Sequence, residues 1–188
     1  NGAFHGRTMM GMALTGKVVP YKRGFGPFPA EVYHAAFPKA YHDIGADEAM
    51  RGLHGLFASD VDPARVAAVI IEPVQGEGGF YVAPNEFLRA LKKLCEQHGI
   101  LFIADEIQTG FARTGKMFAI EHSGVVPDLI CMAKSLGGGF PLAAVTGRAE
   151  LMDAALPGGL GGTYAGSPVG LAAASAVLDV IAEESSRR

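Results

Sequence analysis

Apolar residues between positions 46 and 59 recur at Ala49, Met50, Leu53, Leu56 and Phe57, the spacing of one face of a 3.6-residue repeat, and predict an amphipathic helix. The same period returns at Phe87, Leu88, Leu91, Leu94 and Cys95, and predicts a second helix opened by Asn85 as its cap and closed at Gly99. Other apolar residues come in short unbroken runs. Residues 66–72, stopped by Pro73, residues 100–104 and residues 129–133 each predict a strand buried on both faces, and residues 142–146 a further strand. Residues 1–45, rich in Gly, Pro and aromatics, hold neither period and predict mainly loop, with a helix near 8–14. A glycine-rich loop at 157–166 leads into a final helix from Pro168, capped by Ser167.

Strands that are apolar throughout, alternating with helices through short connections, predict an α/β fold: a mainly parallel sheet flanked by helices. Ligands in such sheets bind beyond the carboxyl ends of the strands. Glu72, Asp105 and Lys134 all fall at predicted carboxyl ends.

The chain's 188 residues suit one domain, and its net charge of −3, with no basic block, gives no footprint for nucleic acid or an anionic membrane surface. No apolar run is long enough to span a bilayer, and no signal peptide is visible. Cys95 and Cys131 fall in a predicted helix and strand without disulfide or metal spacing, which fits a reducing cytoplasm. The six histidines are scattered, so no metal site is expected. A hydrophobic fraction of 49% is rich for a lone domain and suggests apolar surface covered by further chain or a second subunit.

Several residues carry chemistry, each beside a plainer reading. Lys134, followed by Gly137, Gly138 and Gly139, is either a lysine reaching solvent or an amine kept partly neutral so that it attacks a carbonyl. Its glycines follow the Lys-Ser pair, the reverse of a phosphate-cradling Walker loop. Asp105 is either a turn residue or a buried carboxylate in need of a cation, for which a protonated pyridine nitrogen would serve. Gln108 can donate or accept nearby. Glu72 and Glu77 flank a loop and are either solvated or part of a site. Arg7 is either a surface residue or a fork for a carboxylate. The glycine stretches 76–81 and 159–164 begin like a dinucleotide fingerprint, but each ends in tyrosine and no strand leads directly into either.

Five segments in order, Phe4-His-Gly-Arg-Thr8, Glu72-Pro-Val-Gln-Gly-Glu-Gly-Gly79, Ala104-Asp-Glu-Ile-Gln-Thr-Gly-Phe-Ala-Arg-Thr-Gly115, Met132-Ala-Lys-Ser-Leu-Gly-Gly-Gly139 and Gly161-Gly-Thr-Tyr-Ala-Gly166, resemble the class III (ω-amino acid) aminotransferases. These are pyridoxal-phosphate enzymes of fold type I. The resemblance implies that Lys134 is the Schiff-base lysine and proton carrier, that Asp105 holds the pyridinium proton, and that Gln108 bonds the phenolic oxygen. It implies that Ile107 and Phe4 flank the ring and that Thr163 reaches the phosphate of a partner subunit, so a homodimer or higher homo-oligomer is expected. Arg7 would bind the substrate carboxylate. Glu77 would pair with an arginine of a C-terminal domain, uncovered when an α-carboxylate arrives, and Glu72 lies near the site.

The implied reaction is amino transfer from a terminal amine to 2-oxoglutarate, with 4-aminobutyrate expected from the stretches 24–29 and 157–166 and 5-aminovalerate as the alternative. A mutase or racemase on the same scaffold, or a catalytically silent binding protein, is the further choice; Lys134, Asp105 and Gln108 together speak against silence. The motifs correspond to a middle section of the large domain. A phosphate-binding loop is expected before Asn1 and the small domain after Arg188, so residues 1–188 by themselves are expected to be inactive.

Overall fold

The computed structural model describes residues 1–186. Thr8 closes the first turn of helix α1 (Met9–Leu14), its hydroxyl accepting from the Gly11 N–H at 3.2 Å. Helix α2 (Ala46–Ser59) carries Asp47 and Glu48 in its first turn, the sign that suits the positive end of the helix. Strand β1 (Ala68–Ile71) is followed by β2 (Val74–Gln75) and β3 (Tyr81–Val82), which pair as an antiparallel hairpin. Helix α3 (Asn85–His98) ends at Gly99 in the left-handed region, φ 67°, where a side chain would be strained. Then come β4 (Leu101–Asp105), β5 (Leu129–Met132), β6 (Ala144–Gly147), the single-turn helix α4 (Ala149–Met152) and α5 (Pro168–Ser186).

The main sheet has the order β1-β4-β5-β6, with β1, β4 and β5 parallel and β6 antiparallel to β5. Registers that pair Ile71 with Ala104 and Asp105 with Cys131 bring the carboxyl ends of the three parallel strands to one edge. The α/β architecture is as expected, with three local corrections. The strand read over 129–133 stops at Met132, and Lys134 opens a tight 3₁₀ turn, Lys134–Gly137, rather than ending the strand. The strand read over 142–146 is shifted to Ala144–Gly147 and is exposed along its length. The cap of α3 is Pro84, whose φ of −58° leads into the helix, and Asn85 is the first helical residue. The 76–79 loop is the tip of the β2–β3 hairpin.

Helices α2 and α3 cover one face of the sheet. Ala49, Leu53, Phe87, Leu88, Leu91, Leu94 and Cys95 pack there with Phe102 and Ala104, both fully buried. Burying a side chain such as Phe102 contributes about 2–3 kcal/mol. A smaller cluster of Phe111, Leu136 and Ala174 joins α5 to the Lys134 turn. A Cβ on Gly138 would stand 3.0 Å from Val177, so the absence of a side chain there lets α5 lie close. Among the described residues, no helix is long and apolar enough to cross a membrane.

Away from the carboxyl ends, Asp128 ties four elements together. Its Oδ2 accepts from the Phe102 N–H at 2.8 Å and from Lys92 Nζ at 3.0 Å, and its Oδ1 accepts from Arg148 at 3.0 Å. Burial pushes this carboxyl up, but the Phe102 N–H, Lys92 and Arg148 outweigh it and hold it below the usual carboxylate range. A depressed folded pKa stabilises the protein above the unfolded carboxyl value, about 3.9, and the contribution is lost as pH falls through the folded value. Arg148 is half exposed and adds little. Asp128→Asn in the full-length protein is therefore expected to cost about 1–3 kcal/mol at pH 7 in urea unfolding. The difference from the unsubstituted protein should shrink below pH 4; a gap that is constant with pH would contradict this account.

Candidate active site

The site grows from the carboxyl end of β4, which terminates in two adjacent buried carboxylates. Asp105 is 5% exposed; its Oδ2 lies 2.8 Å from Nδ1 of His5, and its Oδ1 accepts the Ile107 N–H at 3.1 Å. The turn reading of Asp105 and the buried-carboxylate reading thus both hold. Strand alternation sends Glu106 the other way. Fully buried, it accepts from the Ala119 N–H at 3.1 Å, from the Ile120 N–H at 2.7 Å and from the Thr109 hydroxyl. These bonds anchor the turn that carries Ile107 and Gln108.

Glu72, just beyond β1, is 5% exposed and accepts from the Phe4 N–H at 2.8 Å and the Gly76 N–H at 3.1 Å. Burial pushes its carboxyl up against the pull of those two N–H groups. The bond to Phe4 draws the N-terminal segment across the strand ends. Gln108 lies against the hairpin tip, where a Cβ on Gly76 would stand 1.5 Å from its Oε1, so no residue with a side chain fits at that position while Gln108 keeps its place.

A second group forms at the hairpin. The Arg7 guanidinium carbon lies 5.6 Å from the centre of the Phe4 ring and 5.4 Å from that of Tyr21, and the two rings are 4.8 Å apart. The Tyr21 hydroxyl donates to Oε2 of Glu77 at 2.6 Å. That hydrogen bond raises the Tyr21 pKa, with burial and the Glu77 charge adding to the rise and the Arg7 charge opposing it. Among the described residues Arg7 has only these ring contacts, which leaves its N–H fork open.

Lys134 follows β5 with φ 46°, a left-handed conformation that costs a non-glycine residue about 1–3 kcal/mol. Among the described residues its amine has no hydrogen-bond or ion-pair partner. It lines an open cavity of about 910 Å³ with Arg113, Ser135, Gly138, Gly139 and Val177 of α5. Arg113 donates to the Ser135 hydroxyl at 2.9 Å beside it.

Phe4, Arg7, Glu72, Glu77, Asp105, Ile107 and Gln108 thus gather around the ends of β1 and β4 and the hairpin tip, and Lys134 stands beyond the end of neighbouring β5. Thr163 is not brought to them; it lies in an exposed loop between Leu160, 79% exposed, and Tyr164, 90% exposed. Sequence reasoning missed His5, Tyr21 and Glu106. His5 sits beside Phe4 in the chain, but its partner is 100 positions away. Glu106 had a readable signal, an acid directly after an apolar strand, and Tyr21 had none.

The chain's likenesses agree with this geometry. Residues 1–187 match the sequence model of the family described as aminotransferase class-III. The 5-aminovalerate aminotransferase of Pseudomonas putida is 57% identical over 183 residues, covering 97% of this chain and 43% of that protein. The 4-aminobutyrate aminotransferase of Escherichia coli is 55% identical over 184 residues, covering 98% of this chain and 43% of that protein. A PLP-bound amine transaminase from an uncultivated Pseudomonas species superposes with a TM-score of 0.90 at 34% identity, covering 98% of this chain and 45% of that one. The chain therefore spans less than half the length of the relatives it matches. With a family match along almost its whole length and a fold shared with solved transaminases, the chain belongs to the class III aminotransferases.

Proposed function

We propose that the whole protein transfers the amino group of an ω-amino acid, 4-aminobutyrate first, to 2-oxoglutarate with pyridoxal phosphate as cofactor. The observation that carries this reading is the gathering of Asp105, Gln108, Phe4 and Arg7 at the strand ends, with a Lys134 amine beyond β5 that has no partner among the described residues. A second reading, 5-aminovalerate, is favoured by the likeness to the Pseudomonas putida enzyme of that name. Arg7 recognises a carboxylate in either case and does not measure chain length.

The donor set suits the cofactor. A carbonyl needs a free amine, which Lys134 has; a protonated ring nitrogen needs a buried carboxylate, which Asp105 supplies; a phenolic oxygen needs a donor, which Gln108 can be. When bound, the cofactor supplies an electron sink that lowers the cost of removing a proton from the amine-bearing carbon. Lys134 Nζ would take that proton from the amine-bearing carbon and deliver it to the carbon of the cofactor's carbonyl, so that the amino group stays behind when the substrate leaves as a carbonyl compound. His5, hydrogen-bonded to Asp105, would hold that carboxylate in place to pair with a protonated ring nitrogen, and Phe4 and Ile107 would line the space for the ring. Arg7 holds the substrate carboxylate in a two-bond fork. Glu77 covers an arginine of a C-terminal domain until an α-carboxylate displaces it, so that one pocket serves two substrates in turn. Thr163, in its exposed loop, completes the phosphate site of a second copy in a homodimer. Free Cys95 and Cys131 suit a cytoplasmic enzyme.

Borohydride reduction of the full-length protein with its cofactor is expected to fix the pyridoxyl mass on the peptide containing Lys134. Lys134→Ala should lose about 10²–10⁴-fold or more in kcat, the range set by a general base. An adduct on another lysine, or turnover surviving in that variant, overturns the assignment.

Glu77→Gln in the full-length protein should favour glutamate over 4-aminobutyrate. Stopped-flow measurement of each half-reaction reads this directly, and equal slowing of both would remove the switch.

A panel of ω-amino acids assayed with 2-oxoglutarate tests the function as a whole. Saturable turnover of 4-aminobutyrate is expected, with 5-aminovalerate as the competitor to rank. No turnover of any member would leave the proposed reaction without support.

A further inference from the structure

Arg7 and Glu77 lie against the same tyrosine without pairing. The guanidinium carbon is 5.4 Å from the Tyr21 ring centre, and the Tyr21 hydroxyl donates to Glu77 Oε2 at 2.6 Å. No ion pair within 4.0 Å joins Arg7 to Glu77 among the described residues, although both side chains contact the same tyrosine and opposite charges gain by pairing. Tyr21 itself is held firmly, being 8% exposed and packed against Phe4, the two rings tilted by 49° with their centres 4.8 Å apart.

We infer that Tyr21 is a specificity-determining positioning residue: it tethers Glu77 by a hydrogen bond from its uncharged hydroxyl, and so keeps the Arg7 fork open for the carboxylate of an ω-amino acid. A carboxylate left untethered beside an arginine settles into a bidentate pair, and the receptor would then be blocked by its own neighbour. The tether takes only Oε2, so Oε1, which has no partner among the described residues, is left for a cation outside this chain. The ring also gives Arg7 a flat shelf, which restrains the guanidinium without using its donors. Tyr21 touches no reacting atom in this scheme. The inference rests on the proposed carboxylate-binding role of Arg7.

The test uses the full-length holoprotein and butanoate, a carboxylate without an amine, whose binding is read by calorimetry and needs no turnover. Tyr21→Phe keeps the shelf and removes the tether. It is expected to raise the Kd for butanoate, and the KM for 4-aminobutyrate, about tenfold, the equivalent of one hydrogen bond to a charged group, with a smaller change in kcat. The decisive arm is the same substitution in a Glu77→Gln background, where no carboxylate remains to collapse onto Arg7. There Tyr21→Phe is expected to change the Kd less than about twofold.

An equal loss in both backgrounds means a merely structural tyrosine and overturns the inference, as does no loss in either, or no butanoate binding by the unsubstituted protein. If Tyr21→Phe does not fold, Tyr21→His replaces it, since its ring N–H can still donate. A Kd within about threefold of the unsubstituted protein then supports the tether, and a tenfold rise overturns it. Failure of the proposed reaction shows separately, as butanoate binding without turnover of any ω-amino acid.

Discussion

Two adjacent carboxylates at the end of the central strand govern how the rest of the chain is arranged. Asp105 and Glu106 are 5% and 0% exposed, and a charged carboxylate removed from water must find donors. Because successive strand residues point to opposite faces, the two find them in different places. Asp105 draws in His5 from the N-terminal segment, and Glu106 draws in the backbone of Ala119 and Ile120. The segments that carry Phe4 and Arg7, and the turn that carries Ile107 and Gln108, are held at the strand ends as a consequence.

The hydrophobic layers set where those donors can be. Phe102 and Ala104 are buried beneath α3, so the side of the strand that Glu106 shares with them is dry and close to Ile120, a member of the same cluster. At the far end Asp128 performs a comparable task, accepting from the first part of β4 and from Lys92 of α3. The central strand is thus pinned by carboxylates at both ends. Removing Glu106 or Asp128 leaves a buried N–H without a partner, which costs more than the bond contributes when made.

The site itself is polar where a ligand is expected and apolar behind. Glu72 is spent on two backbone N–H groups and acts on the N-terminal segment rather than as a free base. Arg7 and Lys134 are the two basic residues of the group that have no anionic partner among the described residues, which leaves a guanidinium open to a carboxylate and an amine open to a carbonyl. The strained backbone at Lys134 fits a place where the fold holds a residue for its chemistry.

Much of this was legible in the chain. The helical faces of α2 and α3, the three apolar strands and the placing of Glu72 and Asp105 at carboxyl ends follow from local periodicity, which burial imposes directly on the order of residues. The roles proposed for Lys134, Asp105 and Gln108 rest on the motifs that surround them. What the tertiary structure alone decided is which groups meet: His5 with Asp105 across 100 positions, Tyr21 with Glu77 across 56, and the antiparallel return of β6. Periodicity reports how each segment divides between core and water, and it carries no information on the register of neighbouring strands or the path of loops. Those depend on packing between segments far apart in the chain, and the partners of buried charges depend on them in turn.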